Sequence, residues 1–199
     1  MVHAPRHRLQ ISRVTFNIVL ADPPWCYKDS ANAGKRGAVH KYPVLSDEDL
    51  FALPVQNIAA DNCLLFMWAT FPKIQEALWC MAAWGFTYKT NAFTWVKRCN
   101  NGAWFMGMGR WSRSNAEVCL LGVKGKPQRR SAGVNSVIEA PRLKHSAKPP
   151  IARDRMVQLA GDVPRVELFA RETCPGWHSV GNEIDGQDIR DALPALARR

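Results

Sequence analysis

The sequence predicts an α/β domain in which a mostly parallel sheet carries helices on both faces. Three observations carry that prediction. Short apolar runs alternate along the chain with stretches of helical period, which is the pattern of βαβ units. The 199 residues are the length of one domain rather than two. Hydrophobic residues make up 47% and charged residues 22%, so there is enough apolar surface to offset the entropy of ordering, and a wholly disordered chain is excluded.

The elements follow in order. Residues 14–21, VTFNIVLA, form an apolar, β-branched run that stops at Asp22-Pro23-Pro24. Prolines cannot continue a ladder, so this reads as a buried strand with an abrupt end. Residues 63–69, CLLFMWA, make a second such strand. From Pro72 to Trp84 the spacing predicts a helix: Pro72 suits its first turn, Ile74, Ala77, Leu78, Met81 and Ala82 share a face, and Gly85 ends it. Residues 90–96 and 116–123 read as two further strands, separated by a segment rich in Gly, Arg and aromatics. A helix is expected over roughly 149–160, a strand over 165–170, and a short fraying helix from Asp188 to Arg199. Residues 26–46 and 124–148 fit no regular element and read as long basic loops, which in a compact domain are functional or disordered. The expected organisation is a basic segment over 1–13, the domain over 14–186 and a tail over 187–199.

Lys+Arg 27 against Asp+Glu 17 gives a net charge of +10, which suits a polyanionic partner or an acidic membrane face. No run of eighteen apolar residues exists, which excludes a membrane-spanning helix. The first thirteen residues lack the apolar core of a secretory signal. The six cysteines are scattered with no C-x-x-C pair. No zinc site or other metal is therefore expected, and the reading is free thiols in the cytoplasm. There is no G-x-G-x-x-G, so NAD binding finds no support.

The chemistry begins at Asp22-Pro23-Pro24-Trp25, directly after the first strand. In an open α/β sheet, ligands bind outside the carboxyl ends of strands. There a carboxylate can accept a hydrogen bond from an amine, a proline carbonyl can accept a second, and a Trp ring offers a stacking face to a planar base. The plain alternative is a strand stop with a Pro-Pro turn.

The tetrapeptide resembles the catalytic motif of the amino methyltransferases that act on N6 of adenine. The motif order resembles their circularly permuted β class, and most closely the family containing the catalytic subunit of the eukaryotic messenger-RNA adenosine methyltransferase. The resemblance runs from about residue 14 to about 186. It includes the segment His40 to Ser46, Leu65 to Thr70, Trp84-Gly85-Phe86, Trp95-Val96-Lys97, Gly109-Arg110-Trp111, Glu117 to Gly125, His145 to Pro149, Glu167 to Arg171, Gly176-Trp177 and Gly181-Asn182-Glu183. Val44, Leu45 and Glu172-Thr173 depart from the family pattern.

This resemblance implies a Rossmann-like class I domain that uses S-adenosylmethionine, with its catalytic strand near the N-terminus and its cofactor strand, Glu167 to Arg171, beside it in space. The reaction it implies is an in-line displacement at the sulfonium methyl carbon, with no protein nucleophile and no metal. Asp22 would hold the target amine, with the Pro23 carbonyl as second acceptor, Pro24 in the same turn and Trp25 near the base. Asp22, Lys148, Glu167, Arg171, Asn182 and Glu183 would form the cofactor site, with Lys148 toward the methionine carboxylate and Arg171 and Asn182 toward the ribose. Glu167 reads equally as a structural carboxylate paired with an arginine, and Lys148 as a solvated lysine at a helix start.

The expected product is N6-methyladenine in DNA. The same chemistry on RNA, or a non-catalytic nucleic-acid-binding subunit, are the competing readings. Duplex DNA hides the amine, so the strand must be single or the base flipped out. Candidate phosphate and base contacts are Lys28, Lys35, Arg36, His40, Lys41 and Tyr42 in the first loop, Arg110 and Arg113 between the central strands, and Arg129, Arg130, Arg142, Lys144 and His145 in the second loop. The chain is expected to work as a monomer or homodimer with no obligatory partner subunit. No separate recognition domain is visible, so target choice is expected from loops or from a partner.

Overall fold

The computed structural model describes residues 14–27, 45–107, 109, 111–143 and 147–198. In chain order the elements are β1 (Phe16–Ala21), α1 (Asp47–Phe51), β2 (Ala59–Ala69), α2 (Ile74–Ala83), β3 (Thr87–Arg98), β4 (Ala116–Lys124), β5 (Val137–Pro141), α3 (Ile151–Ala160), β6 (Arg165–Leu168), β7 (His178–Val180), α4 (Asn182–Asp185) and α5 (Ile189–Leu196). The seven strands form one sheet in the order β5-β3-β4-β2-β1-β6-β7. β4 runs antiparallel to both of its neighbours, and the other pairs are parallel. The expected mostly parallel sheet is therefore found, with β1 near its centre and β6 beside it.

Alternation along the strands sorts side chains into two cores. On one face Val19, Ala21, Leu65, Met67 and Val166 pack with residues of α1, α2 and α5. On the other Ile18, Leu20, Phe66, Trp68, Phe93 and Trp95 pack with Ala152, Met156 and Ala160 of α3. Period-2 strands and period-3.6 helices supply those stripes directly. Trp84, at the end of α2, is fully buried, and its indole N–H donates to the Leu50 carbonyl at 2.8 Å. Lys73 is buried too, with its ammonium on Asp47 at 3.1 Å and Glu76 at 3.0 Å, so α1 is tied to α2 by an ion pair as well as by packing.

Several boundaries differ from the sequence reading. β2 begins at Ala59 and β3 at Thr87, because their first residues are half-polar and lie toward the sheet's far end. A single 3-10 turn, Phe71–Lys73, precedes α2. The buried stripe of α2 is Ala77, Cys80 and Met81, whereas Ala82 is exposed; the period is right and the face is rotated by about a quarter of a turn toward Cys80 and Trp84. The second long loop contains β5, of which only Ile138 is buried, so an edge strand hides within a polar pattern. The short helix expected from Asp188 to Arg199 is found as α5, packed rather than frayed. Asp188 caps it, and Ile189, Leu193 and Leu196 bury one face in the core. Helix α1 was missed, although Ser46 accepts from the Asp49 N–H in an ordinary N-cap arrangement.

All six cysteines are free, and burial pushes the Cys63 thiol up to about 12 and those of Cys80 and Cys119 upward as well. No helix among the described residues is long and apolar enough to cross a membrane.

Trp84→Ala is expected to lower the unfolding free energy by about 3–5 kcal/mol. Trp84→Phe, which loses mainly the bond to Leu50, is expected to cost about 1 kcal/mol beyond its small packing loss. Urea midpoints of the two variants check this; a Trp84→Phe midpoint equal to that of the wild type would mean that the indole hydrogen bond does not anchor α1.

Candidate active site

Six strands point their carboxyl ends to one edge of the sheet, and β4 brings its amino end there. That edge gathers charge from separate strands onto the face covered by α3. Asp22 is the first residue past β1. Glu117 is the second residue of β4, and alternation puts it on the same face as Cys119 of the α3-side core. Lys97 is the next-to-last residue of β3, and Lys148 precedes α3.

These four side chains form one chain of contacts. Lys97 Nζ donates to Glu117 Oε1 at 2.5 Å. Lys148 Nζ lies 3.4 Å from Glu117 Oε2 and donates to Asp22 Oδ2 at 2.6 Å. The Lys148 ammonium also sits 5.7 Å from the centre of the Trp68 ring. Burial pulls the Lys148 ammonium toward neutrality, but Asp22 and Glu117 outweigh it and hold its pKa above the ordinary lysine value. Burial likewise pushes the Glu117 carboxyl up, and the Lys148 and Lys97 charges overcome this and hold it below the usual carboxylate range. Both groups are therefore charged at neutral pH.

Beside this chain a cleft of about 250 Å³ opens, lined by Leu20, Asp22, Trp68, Lys148, Phe169, Arg171 and Glu183 among others. Glu167 borders it and is held bidentate by Arg153, at 2.8 Å to each carboxylate oxygen. Arg171 stands 3.8 Å from Glu183. Gly181 lies against the Ala170 backbone at a separation that a Cβ would violate, so β7 turns into α4 close beside the end of β6. Phe169, just past β6, has φ 60°, alone among the described non-glycine residues in the left-handed region. It lines both this cleft and a smaller neighbouring cavity of about 60 Å³.

The structure brings Asp22, Lys148, Glu167, Arg171 and Glu183 together, as the sequence reading expected. Other placements differ. Trp25 is 5% exposed, packed in the core, and its indole N–H donates to the Trp68 carbonyl at 3.1 Å. A ring so enclosed cannot also be a stacking platform, so Trp25 braces the turn. The Pro23 carbonyl already accepts the Trp25 N–H at 2.8 Å, which leaves its second lone pair for any amine. Asn182 lines the smaller cavity, with Pro24, and not the main cleft. Arg129 and Arg130 are exposed at the opposite edge, where the Arg130 N–H donates to the Leu159 carbonyl at the far end of α3. They do not border Asp22, because β4 carries the chain across the sheet before that loop begins. Arg113 and Arg142 are exposed at the Asp22 edge. Lys28, Lys35, Arg36, His40, Lys41, Tyr42, Arg110, Lys144 and His145 lie outside the described residues.

Roles for Glu117, Lys97, Trp68 and Arg153 were missed. Three of them stand inside segments that carry the family resemblance, and the usable sign was a carboxylate at the head of an otherwise apolar run, AEVCLLGV.

A mixed seven-stranded α/β sheet with a cleft of acidic and basic side chains at its carboxyl edge fits a Rossmann-like methyltransferase domain. The chain belongs to the MT-A70 family, whose model it matches over residues 16–183. It is 34% identical over 198 residues to the type II methyltransferase M.MunI of Mycoplasma sp, covering 90% of this chain and 82% of that protein. It is 30% identical to the human N(6)-adenosine-methyltransferase catalytic subunit METTL3, covering 88% of this chain and 29% of that protein. The human N(6)-adenine-specific methyltransferase METTL4 is also 30% identical, over 86% of this chain and 38% of its own length.

Glu117→Gln removes the carboxylate between two buried ammoniums and is expected to cost about 3 kcal/mol of stability at pH 7. The Glu117 pKa is depressed in the folded state, so its contribution is present above the unfolded value, about 4, and is lost as pH falls through the folded one. The difference between the wild type and Glu117→Gln should therefore close below about pH 4. Denaturant unfolding from pH 3 to pH 8 measures it, and a difference that stays constant would refute the pairing.

Proposed function

We propose that this chain transfers a methyl group from S-adenosylmethionine to N6 of adenine in DNA. The observation that carries the reading is Asp22 at the carboxyl end of β1, facing a charged cleft that it shares with Lys148, Glu167, Arg171 and Glu183, in a chain matching MT-A70 over nearly its whole length. DNA is favoured over RNA because the type II methyltransferase, a designation of DNA-modifying enzymes, is matched over 82% of its own length. The adenosine methyltransferases contain the matched region as under a third of theirs.

The cleft suits the cofactor by its donor set. Lys148 offers an ammonium to a carboxylate, Glu183 and Glu167 offer acceptors to hydroxyl and amino groups, and Leu20, Phe169 and Pro149 offer apolar walls. Bound S-adenosylmethionine supplies an electrophilic methyl carbon. The protein's part is positioning and electrostatics. An exocyclic adenine amine is a weak nucleophile because its lone pair is delocalised into the ring. The Asp22 carboxylate accepts one amine N–H and the second lone pair of the Pro23 carbonyl accepts the other, which turns the nitrogen lone pair out of the ring plane. Lys148 donates to Asp22 at 2.6 Å. To free the carboxylate it swings toward the cofactor's carboxylate, and Glu117, 3.4 Å away, remains as its counter-charge.

Titration calorimetry with S-adenosylmethionine should show binding to the purified chain alone; no heat at millimolar cofactor with folded protein would overturn the cofactor assignment. Radiolabelled methyl transfer to DNA and RNA side by side should favour DNA, and transfer to RNA alone would move the substrate to the second reading. Asp22→Ala should lower turnover by about a hundredfold or more, as for loss of one preorganised group, in a chain that keeps its native circular dichroism although its urea midpoint falls, because Lys148 loses one of its two carboxylates. Wild-type turnover in that variant would remove Asp22 from the mechanism.

A further inference from the structure

The connection between β3 and β4 carries the most exposed aromatic among the described residues. Trp111 is 97% exposed, Met106 68% and Trp104 53%. Nothing in the fold requires large apolar side chains there. The chain nonetheless organises the segment. Trp104 bridges to Arg98 and extends the end of β3 as an antiparallel return. The Phe105 N–H donates to the Lys97 carbonyl at 3.1 Å, and the Lys97 N–H to the Asn115 carbonyl at 2.8 Å. Gly107 lies so close to the Ser114 carbonyl, and Gly109 to the Ser112 carbonyl, that a Cβ at either would collide with backbone. The two arms are thus drawn together, and Trp111 stands between Gly109 and Ser112 at the closed end.

Arginines flank the aromatics. The Arg98 guanidinium stacks 3.2 Å from the Trp104 ring centre, and that of Arg142 lies 4.6 Å from the Phe105 ring. Arg113 is exposed nearby. Residues 99–115 include two arginines and no acidic residue. The hairpin is rooted at Lys97, whose ammonium begins the contact chain through Glu117 and Lys148 to Asp22.

We infer that this hairpin is a strand-binding element, in which Trp111 and Trp104 stack on bases of the single-stranded or locally opened nucleic acid that presents its adenine to Asp22. The inference rests on the function proposed above. Aromatic faces with arginines around them are the chemistry of sequence-tolerant stacking on unpaired bases, and a flipped base leaves a gap that such a side chain can fill. Arg98 is paired with Glu139 at 2.7 Å, and a polyanion answers the charge of the exposed Arg113 and Arg142. A second copy docked through the same hairpin would set arginine against arginine across a two-fold interface, so nucleic acid is the favoured occupant.

The test is fluorescence anisotropy with a labelled, mixed-sequence single-stranded DNA containing adenines, run on the full chain with the wild type, Trp111→Ala and Arg113→Ala. Trp111→Ala should bind about tenfold or more weakly, with an unchanged salt slope and unchanged affinity for S-adenosylmethionine. Arg113→Ala should flatten the slope of log affinity against log salt by about 0.7. Trp111→Ala is fully exposed and should keep the wild-type circular dichroism. If it binds the strand as tightly as the wild type, the hairpin assignment is overturned while the proposed function stands. If it leaves strand binding intact but turns a sedimenting dimer into a monomer, the hairpin is a self-association surface and the inference fails. A wild-type chain that binds neither this DNA nor the matching RNA overturns both readings.

Discussion

Lys148 holds its charge between two carboxylates at a place where water is largely excluded, and that requirement organises the edge of the sheet around it. A buried ammonium is costly unless its partners are fixed in good geometry. Here Asp22 comes from the end of β1, Glu117 from the head of β4 and Lys97 from the end of β3, so the electrostatic balance exists only when three strands are in register. Arg153 and Glu167 repeat the device between α3 and β6. The cleft is thus walled by groups that neutralise one another and can also meet the ends of a zwitterionic ligand.

Strand order does the rest. β1 pairs with β2 on one side and β6 on the other, which sets the tetrapeptide turn and the segment after β6 side by side although they are far apart in sequence. Trp25 then fastens the turn to the end of β2 through the Trp68 carbonyl. The same Trp68 presents its ring to Lys148. One residue therefore ties the rigidity of the turn to the position of the ammonium that faces it.

Much of this was legible in the sequence because it depends on local pattern. Short apolar runs located β1, β2, β4 and β6, and the motif order placed Asp22 against the segment from Glu167 to Arg171. What was not legible depended on partners distant in sequence. Trp25 carries the composition of a stacking platform, and only its place in the three-dimensional core shows it to be a brace. Arg129 and Arg130 looked like neighbours of the site because their loop ends near Lys148, yet the run of β4 sends that loop to the opposite edge first. Asn182 matched a motif but faces the smaller cavity, since Phe169 stands between the two. The role of Glu117 emerges from a pairing with residues 20 and 31 positions away, a kind of relation that periodicity does not record.

The reversed direction of β4 has an evolutionary consequence. Parallel neighbours must be joined by a crossover whose length and packing are constrained, whereas antiparallel neighbours accept a connection of almost any length. Between β3 and β4 the chain leaves the sheet and returns to it at the same edge, with its two ends bonded to each other at Lys97 and Asn115. Lengthening such a loop costs little in closure entropy. Insertions, deletions and whole grafted segments can accumulate there without moving Glu117 or Lys97. The scaffold thus separates the part of the chain that must stay fixed for chemistry from a part that is free to diversify, and lineages that share the sheet can differ in what they recognise.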